Sequence, residues 1–207
     1  MSYLLYVSVS PQGDRSVSRN LANDFLDEYR TRNPDTKVVE RDLAVKLVPH
    51  LDGESLGASY SPVENHTPSM AEKFKVRMDL INEFKGAKEI LVSTPMWNWN
   101  VPSVFKAYID QLIFPGVLGD GTPENSNSAK VTVIAAQGGS YAPGTPREGW
   151  DWLTGYLKQV FTQLGSKDVK IILSELNYAG WKPGMENLVG KKEASFAEAK
   201  KAIKSRV

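Results

Sequence analysis

Three serine hydroxyls near the start of the chain could hold a phosphate group. Ser10, Ser16 and Ser18 follow a short apolar stretch, and Ser16 lies at or near the predicted start of the first helix. The first N–H groups of a helix lack partners within it and lie at the positive end of its dipole, so they bind anions well. Arg15 could add positive charge. For the serines taken alone, the simpler interpretation is that Ser16 or Ser18 caps the helix.

Two tryptophans and two asparagines lie together in the stretch EILVSTPMWNWN, residues 89–100. Residues 90–92 are an apolar run typical of a strand buried on both faces, and Pro95 ends that strand because proline has no N–H for the ladder. Trp97 and Trp99 therefore fall on a strand-to-helix connection. They could be core or dimer-interface residues, but we favour contact with a flat ligand at the carboxyl edge of a parallel sheet.

Paired glycines follow the predicted fourth strand, in the loop of residues 136–139 with the sequence AQGG. Glycine has no Cβ, so it lets the backbone approach the edge of a ligand closely. Taken alone, the pair is better explained as a simple tight turn. With the loops after the first and third strands, it makes a third set of backbone and side-chain polar groups at one edge of the predicted sheet.

Several other kinds of site are excluded by what the chain lacks. It has no cysteine, which excludes disulfides, thiolate catalysis and cysteine-ligated metals. His50 and His66 have no partner at metal-ligand spacing, so we predict no metal site and place both histidines on the surface or at an interface. The P-loop motif GxxxxGKS/T and a GxGxxG after the first strand are also missing.

Length and composition predict one domain over residues 1–207. The chain is 41% hydrophobic and 24% charged, as in ordinary globular proteins. Its formal net charge of +1 gives no reason to expect binding to nucleic acid or to a membrane surface. No apolar run approaches the roughly 18 residues of a membrane span, and the first residues do not resemble a signal peptide. We therefore expect a cytoplasmic protein, which the lack of cysteine also fits.

Short apolar strands alternate with amphipathic helices along the chain. The predicted strands are residues 3–9, 37–42, 90–92, 131–136 and 169–173. The predicted helices are residues 16–31, 68–86, 101–114, 153–164 and 191–205. This alternation predicts an α/β fold, a flavodoxin-like five-stranded parallel sheet in the order 2-1-3-4-5 with helices on both faces. A ligand would lie at the switch between the first and third strands.

Two connections are longer than a compact domain normally needs. Residues 47–68 are predicted to be irregular, and because such loops are rare without a use, functional or interfacial. Residues 115–128 are rich in Gly, Asn and Ser and are predicted to be mobile. Between these connections, helix 68–86 is predicted to start with a capping box of Ser69 and Glu72. The predicted buried face of this helix is formed by Met70, Phe74, Met78 and Ile81.

Taken together, the three loops resemble the bacterial family of FMN-dependent NADH azoreductases and NAD(P)H quinone reductases. The most specific motifs are the S-x5-S-x-S pattern of residues 10–18, the PMWNW run of residues 95–99 and the glycine pair 138–139. The LDGE of residues 51–54 also resembles the family, and the resemblance extends over nearly the whole chain. It implies a flavodoxin-like fold that binds FMN.

The resemblance implies one FMN site built from all three loops. The FMN phosphate would be held by Ser10, Ser16, Val17 and Ser18. The ribityl chain and the isoalloxazine would lie along Pro95, Met96, Trp97, Asn98 and Trp99. The pyrimidine edge would be contacted by Ala136, Gln137, Gly138 and Gly139. Trp97 and Trp99 would also stack on the substrate, and no side chain would be catalytic because the flavin carries the chemistry.

The resemblance also implies an oxidoreductase with a ping-pong cycle. NADH or NADPH delivers a hydride to FMN and leaves, and a quinone or an aromatic azo compound then accepts two electrons. Members of the family are similar in being homodimers, with the partner chain closing the space over the flavin. The implied partners are therefore a small aromatic acceptor and a second copy of this chain.

This sequence departs from the family pattern in three places. It has Trp97 and Trp99 where many relatives have Tyr and Phe, and Ala136 and Gln137 where many have Ser-Arg. The segment 115–129 is shorter and more polar than in relatives, where it helps to cover the active site. These differences bear on the choice of substrate and on the choice between NADH and NADPH.

Three other functions remain open on the residues alone. A flavodoxin-type electron carrier would bind FMN without turning over a small substrate, although such carriers are usually strongly acidic and this chain carries a net charge of +1. An FMN reductase that supplies free flavin would release its cofactor readily. A nucleotide- or sugar-binding α/β module would not bind flavin at all.

Overall fold

The computed structural model describes residues 3–207. The strands, labelled β1 to β5 in chain order, are Tyr3–Ser8, Lys37–Asp42, Ala87–Pro95, Lys130–Ala136 and Val169–Ser174. The α-helices, labelled α1 to α6, are Val17–Arg32, Gly53–Ser59, Pro68–Gly86, Ser103–Leu112, Trp152–Gln163 and Val189–Arg206. None of these helices combines the length and the apolar character needed to cross a membrane.

The five strands form one parallel sheet in the order β2-β1-β3-β4-β5, as predicted. In the centre, Val7 of β1 lies in register with Arg41 of β2 on one side and Val92 of β3 on the other. Residues 90–92 of β3 are buried, because helices cover both faces of the sheet. This burial explains why residues 90–92 form a continuous apolar run.

Alternate residues of the strands pack on opposite layers of helices. Leu4 and Tyr6 point to the face covered by α1 and α6, where they join a cluster with Phe25 and Ile203. The intervening residues of β1 belong to the larger cluster on the other face, which includes residues of α3, α4 and α5. The sheet is therefore the middle of three layers, with its carboxyl edge left to the connecting loops.

The chain turns from β1 towards β2 on one side of the sheet and later adds β3 on the other side of β1. The loops after β1 and β3 therefore run in opposite directions from neighbouring strand ends. A crevice at such a switch is where open α/β sheets place their ligands. The predicted location of the site at this edge follows directly from the strand order.

The prediction that residues 47–68 are irregular is wrong over part of the segment. Helix α2 forms there, and its N-cap Asp52 accepts a hydrogen bond from the Ser55 N–H at 2.8 Å. A short 3-10 turn follows at Val63–Asn65. The helix was missed because it has only seven residues, two of them glycine, and buries few side chains.

The predicted capping box of α3 is also wrong. The N-cap is Thr67, whose hydroxyl accepts a hydrogen bond from the Met70 N–H at 3.2 Å. Ser69 instead donates to a carboxylate oxygen of Glu54 at 2.8 Å and so links α3 to α2. Of the predicted buried face only Ile81 is fully buried, while Met70, Phe74 and Met78 are half-buried. The remaining buried positions of α3 are Arg77, Leu80 and Phe84.

The segment 115–128 has no regular secondary structure but is fastened by hydrogen bonds. The Asp120 carboxylate accepts from the N–H groups of Thr122 and Gly116 and from the Asn125 amide. These hydrogen bonds hold the pKa of Asp120 well below its usual value. Asn127 in turn donates to the carbonyl of Phe84 at 2.6 Å, which ties the segment to the end of α3.

We predict that Arg77→Met destabilises the protein by about 2–4 kcal/mol, because it leaves buried carbonyls without a donor. Arg77 is buried, donates to the carbonyls of Gln111 and Ile113, and lies 4.3 Å from the centroid of the Phe114 ring. It therefore joins α3 to the end of α4. Urea denaturation would measure the change. The exposed Lys75→Met on the same helix should cost only about 0.5 kcal/mol, and an equal loss for both variants would contradict the prediction.

Candidate functional site

The loop after β1 ends in an N-cap that leaves two backbone donors free. The Ser16 hydroxyl oxygen accepts from the Arg19 N–H at 3.4 Å and lies 3.3 Å from the Ser18 hydroxyl. Ser10 is buried at the start of the same loop. Among the described residues, the N–H groups of Val17 and Ser18 find no acceptor. Ser16 therefore caps the helix while the helix start still offers an anion two N–H donors.

Arg19 holds this loop in place from the inside. Its guanidinium donates to a carboxylate oxygen of Asp42 at 2.9 Å and to the carbonyl of Ser10 at 2.8 Å. Burial by itself would raise the pKa of Asp42, but the hydrogen bond from Arg19 and those from backbone N–H groups outweigh it and lower the pKa. Arg19 is thus engaged with the protein, and Arg15 is exposed on the loop.

The loop after β3 is a tight turn with two residues in the left-handed region. Asn98 has φ of 48° and Trp99 has φ of 67°. The N–H groups of Trp97 and Asn100 each donate to the carbonyl of the other residue, at 2.9 and 3.0 Å. A tryptophan with positive φ costs on the order of 1–2 kcal/mol, and such strain gathers at functional sites. The N–H groups of Asn98 and Trp99 have no acceptor among the described residues.

The two indoles of this turn remain partly open to solvent. Trp97 is 42% exposed and Trp99 is 40% exposed, so neither is a core plug. The Trp99 ring meets the Trp150 ring edge-on, with 5.3 Å between centroids, and its carbonyl accepts from the Trp152 N–H at 3.2 Å. Our reading of the sequence missed Trp150 and Trp152. The signal was the run GWDWL, residues 149–153, in which Asp151 caps a helix between two aromatics.

Gln137 organises the loop after β4 rather than presenting its amide at the surface. It is buried, its N–H donates to the Ser174 carbonyl at 2.8 Å, and its side-chain nitrogen donates to the Asp151 carboxylate at 3.0 Å. Its carbonyl accepts from both nitrogens of Asn177. Asp151, a third residue missed from the sequence, therefore connects this loop to the start of α5.

The two glycines of this loop have different surroundings. A Cβ on Gly138 would lie 2.4 Å from the ring of Tyr178, so packing against that ring demands glycine. A Cβ on Gly139 would meet nothing closer than 3.8 Å, the hydroxyl of Tyr141. The N–H groups of both glycines lack an acceptor among residues 3–207. The pair thus offers two further donors at the carboxyl edge of β4.

Backbone hydrogen bonds hold the three loops side by side. The Val9 N–H donates to the carbonyl of Ser93 at 3.0 Å, and the Met96 N–H donates to that of Ala136 at 2.8 Å. The described residues contain no cluster of acidic and histidine side chains that could bind a metal ion. This edge of the sheet therefore carries three kinds of group. The start of α1 could hold an anion, the two exposed indoles could contact a flat ring, and the N–H groups of the glycine pair could donate to the polar edge of a ring.

A parallel sheet with this switch point, a helix start with free N–H groups and an aromatic loop are features of a flavodoxin-like protein. A family model described as having a flavodoxin-like fold matches residues 2–207. An FMN-dependent NADH:quinone oxidoreductase from Frankia alni is 41% identical over 208 residues, covering 100% of this chain and 99% of the relative. One from a Nostoc strain is 37% identical, covering 94% and 96%. The chain belongs to the family of FMN-dependent NADH:quinone oxidoreductases, which confirms the resemblance noted from its motifs.

Solved structures show the same fold. An azoreductase from Bacillus anthracis superposes with a TM-score of 0.83 at 24% identity, covering 99% of this chain and 100% of that one. An FMN-dependent NADH-azoreductase from the same species, in complex with FMN, gives a TM-score of 0.80 at 22% identity with 99% of each chain covered. At these identities the superposition supports the fold.

We predict that Gly138→Ala destabilises the protein by about 1–3 kcal/mol, because the Tyr178 ring must move to admit a methyl group. Gly139→Ala is the matched control, since its Cβ would occupy open space. Thermal and urea denaturation of both variants would give the difference. Adding Tyr178→Ala to Gly138→Ala should remove most of the strain between the two sites, and strictly additive losses would show that the contact is unimportant.

Proposed function

We propose that this chain is an enzyme, an FMN-dependent NADH:quinone oxidoreductase, with residues 1–207 forming one FMN-binding domain. The observation that carries the proposal is the grouping of three loops at the switch of the parallel sheet. Each loop, or the helix start that follows it, offers backbone N–H groups without an acceptor among the described residues, and two partly exposed indoles belong to the middle loop. The names of the Frankia and Nostoc relatives support this assignment.

The start of α1 fits the phosphate end of FMN. Val17 and Ser18 offer free N–H groups, and the hydroxyls of Ser16 and Ser18 lie 3.3 Å apart within the first helical turn. No guanidinium is needed, because helix-start donors and the dipole favour a dianion. Ser10 would complete the cradle, since its carbonyl is fixed by Arg19 at 2.8 Å and its side chain lies at the loop start.

The other two loops fit the ring end of FMN. The N–H groups of Asn98 and Trp99 would donate to the polar atoms of the isoalloxazine, and those of Gly138 and Gly139 to its pyrimidine edge. Fixed backbone donors at such an edge favour the electron-rich form of the ring, because they need no reorganisation as charge develops. The remaining predicted contacts would act through shape and backbone position, namely Pro95, Met96, Trp97, Ala136 and Gln137.

FMN, when bound, would supply the redox chemistry by taking two electrons from NADH or NADPH and passing them to a quinone or an aromatic azo compound in a ping-pong cycle. The chain's own contribution is to position the ring and its successive partners. Trp97 and Trp99 offer flat apolar faces on which an aromatic acceptor would stack. Trp150, whose ring meets that of Trp99 edge-on, would extend that wall.

We also propose that the protein works in the cytoplasm as a homodimer with a shared site. Five large apolar side chains between residues 45 and 63 are 45–76% exposed: Val45, Leu47, Leu56, Tyr60 and Val63. His50, in the same segment, lies with Trp97 and Lys106 around one surface depression, so a second copy on this surface would border the indole turn. Sedimentation equilibrium should give twice 22.9 kDa. A single-chain mass at micromolar concentration would contradict the dimer.

The proposed function is tested by recording the visible spectrum of the protein with FMN and then adding NADH without oxygen. We expect a bound flavin that bleaches rapidly and regains its colour when a quinone is added. Binding without bleaching would favour an electron carrier, and ready loss of FMN on gel filtration would favour an FMN reductase. No flavin binding at all would overturn the proposal.

We predict that Ser18→Ala raises the FMN dissociation constant about 10- to 100-fold, because a hydrogen bond to a charged phosphate contributes about 1.5–3 kcal/mol. Riboflavin lacks the phosphate and serves as the control ligand, whose dissociation constant should change less than about twofold. Ser18 is preferable to Ser16 because Ser16 is also the N-cap of α1. Equal losses for both ligands, measured by flavin fluorescence, would rule out a phosphate contact.

We predict that Trp99→Ala lowers quinone turnover about tenfold while changing FMN affinity less than about threefold. Removing the indole takes away stacking area for the acceptor, which contributes about 1 kcal/mol or more, but keeps the backbone donor of the turn. Stopped-flow measurement of the quinone half-reaction would isolate the effect. If turnover is unchanged, Trp99 has only a structural role against Trp150.

A further inference from the structure

A pocket of about 530 Å³ lies beside the β4 loop and shares only Gly139 with the three loops described above. It is bounded by residues 139–147 on one side and by residues 176–191, which lead into α6, on the other. Its volume falls within the range of small-molecule sites. Its position, at the carboxyl edge of the sheet next to the glycine pair, places it within reach of a ligand that extends from the proposed flavin site.

The floor of this pocket is attached to the glycine loop by backbone hydrogen bonds. The Leu176 N–H donates to the carbonyl of Gly139 at 3.1 Å, and the Tyr178 N–H donates to that of Gly138 at 3.0 Å. Leu176 itself has φ of 59°, a conformation that a leucine keeps only where its surroundings fix it. The pocket is therefore preformed, with its geometry tied to the loop that would contact the pyrimidine edge.

The walls of the pocket are largely apolar and aromatic. The apolar and aromatic side chains of the lining include Tyr141, Leu176, Tyr178, Met185 and Leu188. Burial raises the pKa of Tyr141 above its ordinary value, so its hydroxyl stays protonated and can donate a hydrogen bond near neutral pH. These walls suit a flat aromatic group whose faces contact apolar side chains and whose edge forms hydrogen bonds with a few polar atoms.

Three cationic side chains line the same pocket, and no acidic side chain does. Arg147, Lys182 and Lys191 are exposed, and none of them forms an ion pair within residues 3–207. The neighbouring carboxylates are engaged with the loops themselves, since Glu148 accepts from the Gly144 N–H at 2.8 Å and Glu186 from the Gly184 N–H at 3.0 Å. The pocket thus has largely apolar walls and a rim of positive side chains that form no ion pair among the described residues.

We propose that this cation-rimmed pocket binds a flat aromatic group carrying phosphate or sulfonate, as the outer part of a ligand whose reactive end lies at the flavin. The inference rests on the proposed function, which offers two sources of that chemistry. One is the adenosine diphosphate half of NADH. We place it first because its adenine suits the apolar walls and its two phosphate charges suit the cationic rim. The other is the sulfonated aryl group of an azo substrate.

The binding test uses the FMN-loaded protein and isothermal titration calorimetry with two probes, ADP-ribose and sulfanilate. The pocket variant is Arg147→Gln with Lys182→Gln. The control variant, Lys201→Gln with Lys204→Gln, removes the same charge from exposed positions of α6. We expect ADP-ribose to bind the wild type and the control alike, and the pocket variant about five- to tenfold more weakly.

A kinetic experiment distinguishes binding of the adenosine diphosphate half of NADH from reaction at its nicotinamide ring. The KM for NADH should rise about five- to tenfold in the pocket variant at unchanged kcat, because the rim acts on binding and not on the reacting atoms. The donor 1-benzyl-1,4-dihydronicotinamide has no phosphate, so its KM should not change. A rise in the KM for NADH with added salt should likewise disappear in the pocket variant.

These experiments test the pocket separately from the proposed enzyme activity. Binding of sulfanilate without ADP-ribose, weakened in the pocket variant, supports the pocket and assigns it to the acceptor. If the pocket variant and the control variant bind the probes equally weakly, the effect comes from net charge alone and the proposal is overturned. The proposal is also overturned if neither probe binds the wild type. If neither donor is oxidised, the proposed function fails, while the calorimetry still reports on the pocket.

Discussion

The parallel pairing of β1 with β3 is the constraint on which the rest of this structure depends. It places two strand ends side by side while their loops leave in opposite directions, and so it creates the crevice at the carboxyl edge. Both strands are covered by helices on both faces, which makes their register costly to change. The Val9 N–H, bonded to the Ser93 carbonyl, extends that pairing into the loop that leads to the start of α1.

The edge offers backbone donors more than free charged side chains. Arg19 is engaged with Asp42 and the Ser10 carbonyl, and Gln137 is engaged with Asp151. These contacts fix loops whose N–H groups have no acceptor among the described residues. Backbone donors on a rigid frame keep their geometry when a ligand binds, which lowers the entropic cost of binding.

Much of the architecture could be predicted because it depends on short-range patterns. Alternating apolar strands and amphipathic helices predicted the strand order, and of the two serines proposed as caps of α1, Ser16 is the N-cap. Features that depend on neighbouring residues were not predicted. Thr67 rather than Ser69 caps α3, because Pro68 occupies the first turn of the helix. The Ser69 hydroxyl instead donates to Glu54 of α2, a helix too short to show a periodic pattern.

For the candidate site, local chemistry in the chain was sufficient to propose the three loops, and the structure brings these loops together at one edge of the sheet. Which atoms of those loops are free depends on the tertiary structure, because residues far apart in sequence form the deciding contacts. The Tyr178 ring explains the glycine at position 138, and the Asp151 carboxylate holds the Gln137 side chain inside the protein. The cation-rimmed pocket likewise exists only where the β4 and β5 loops meet, since no local pattern brings Arg147 and Lys182 together. Contacts between distant segments are set by packing, which one-dimensional periodicity does not record.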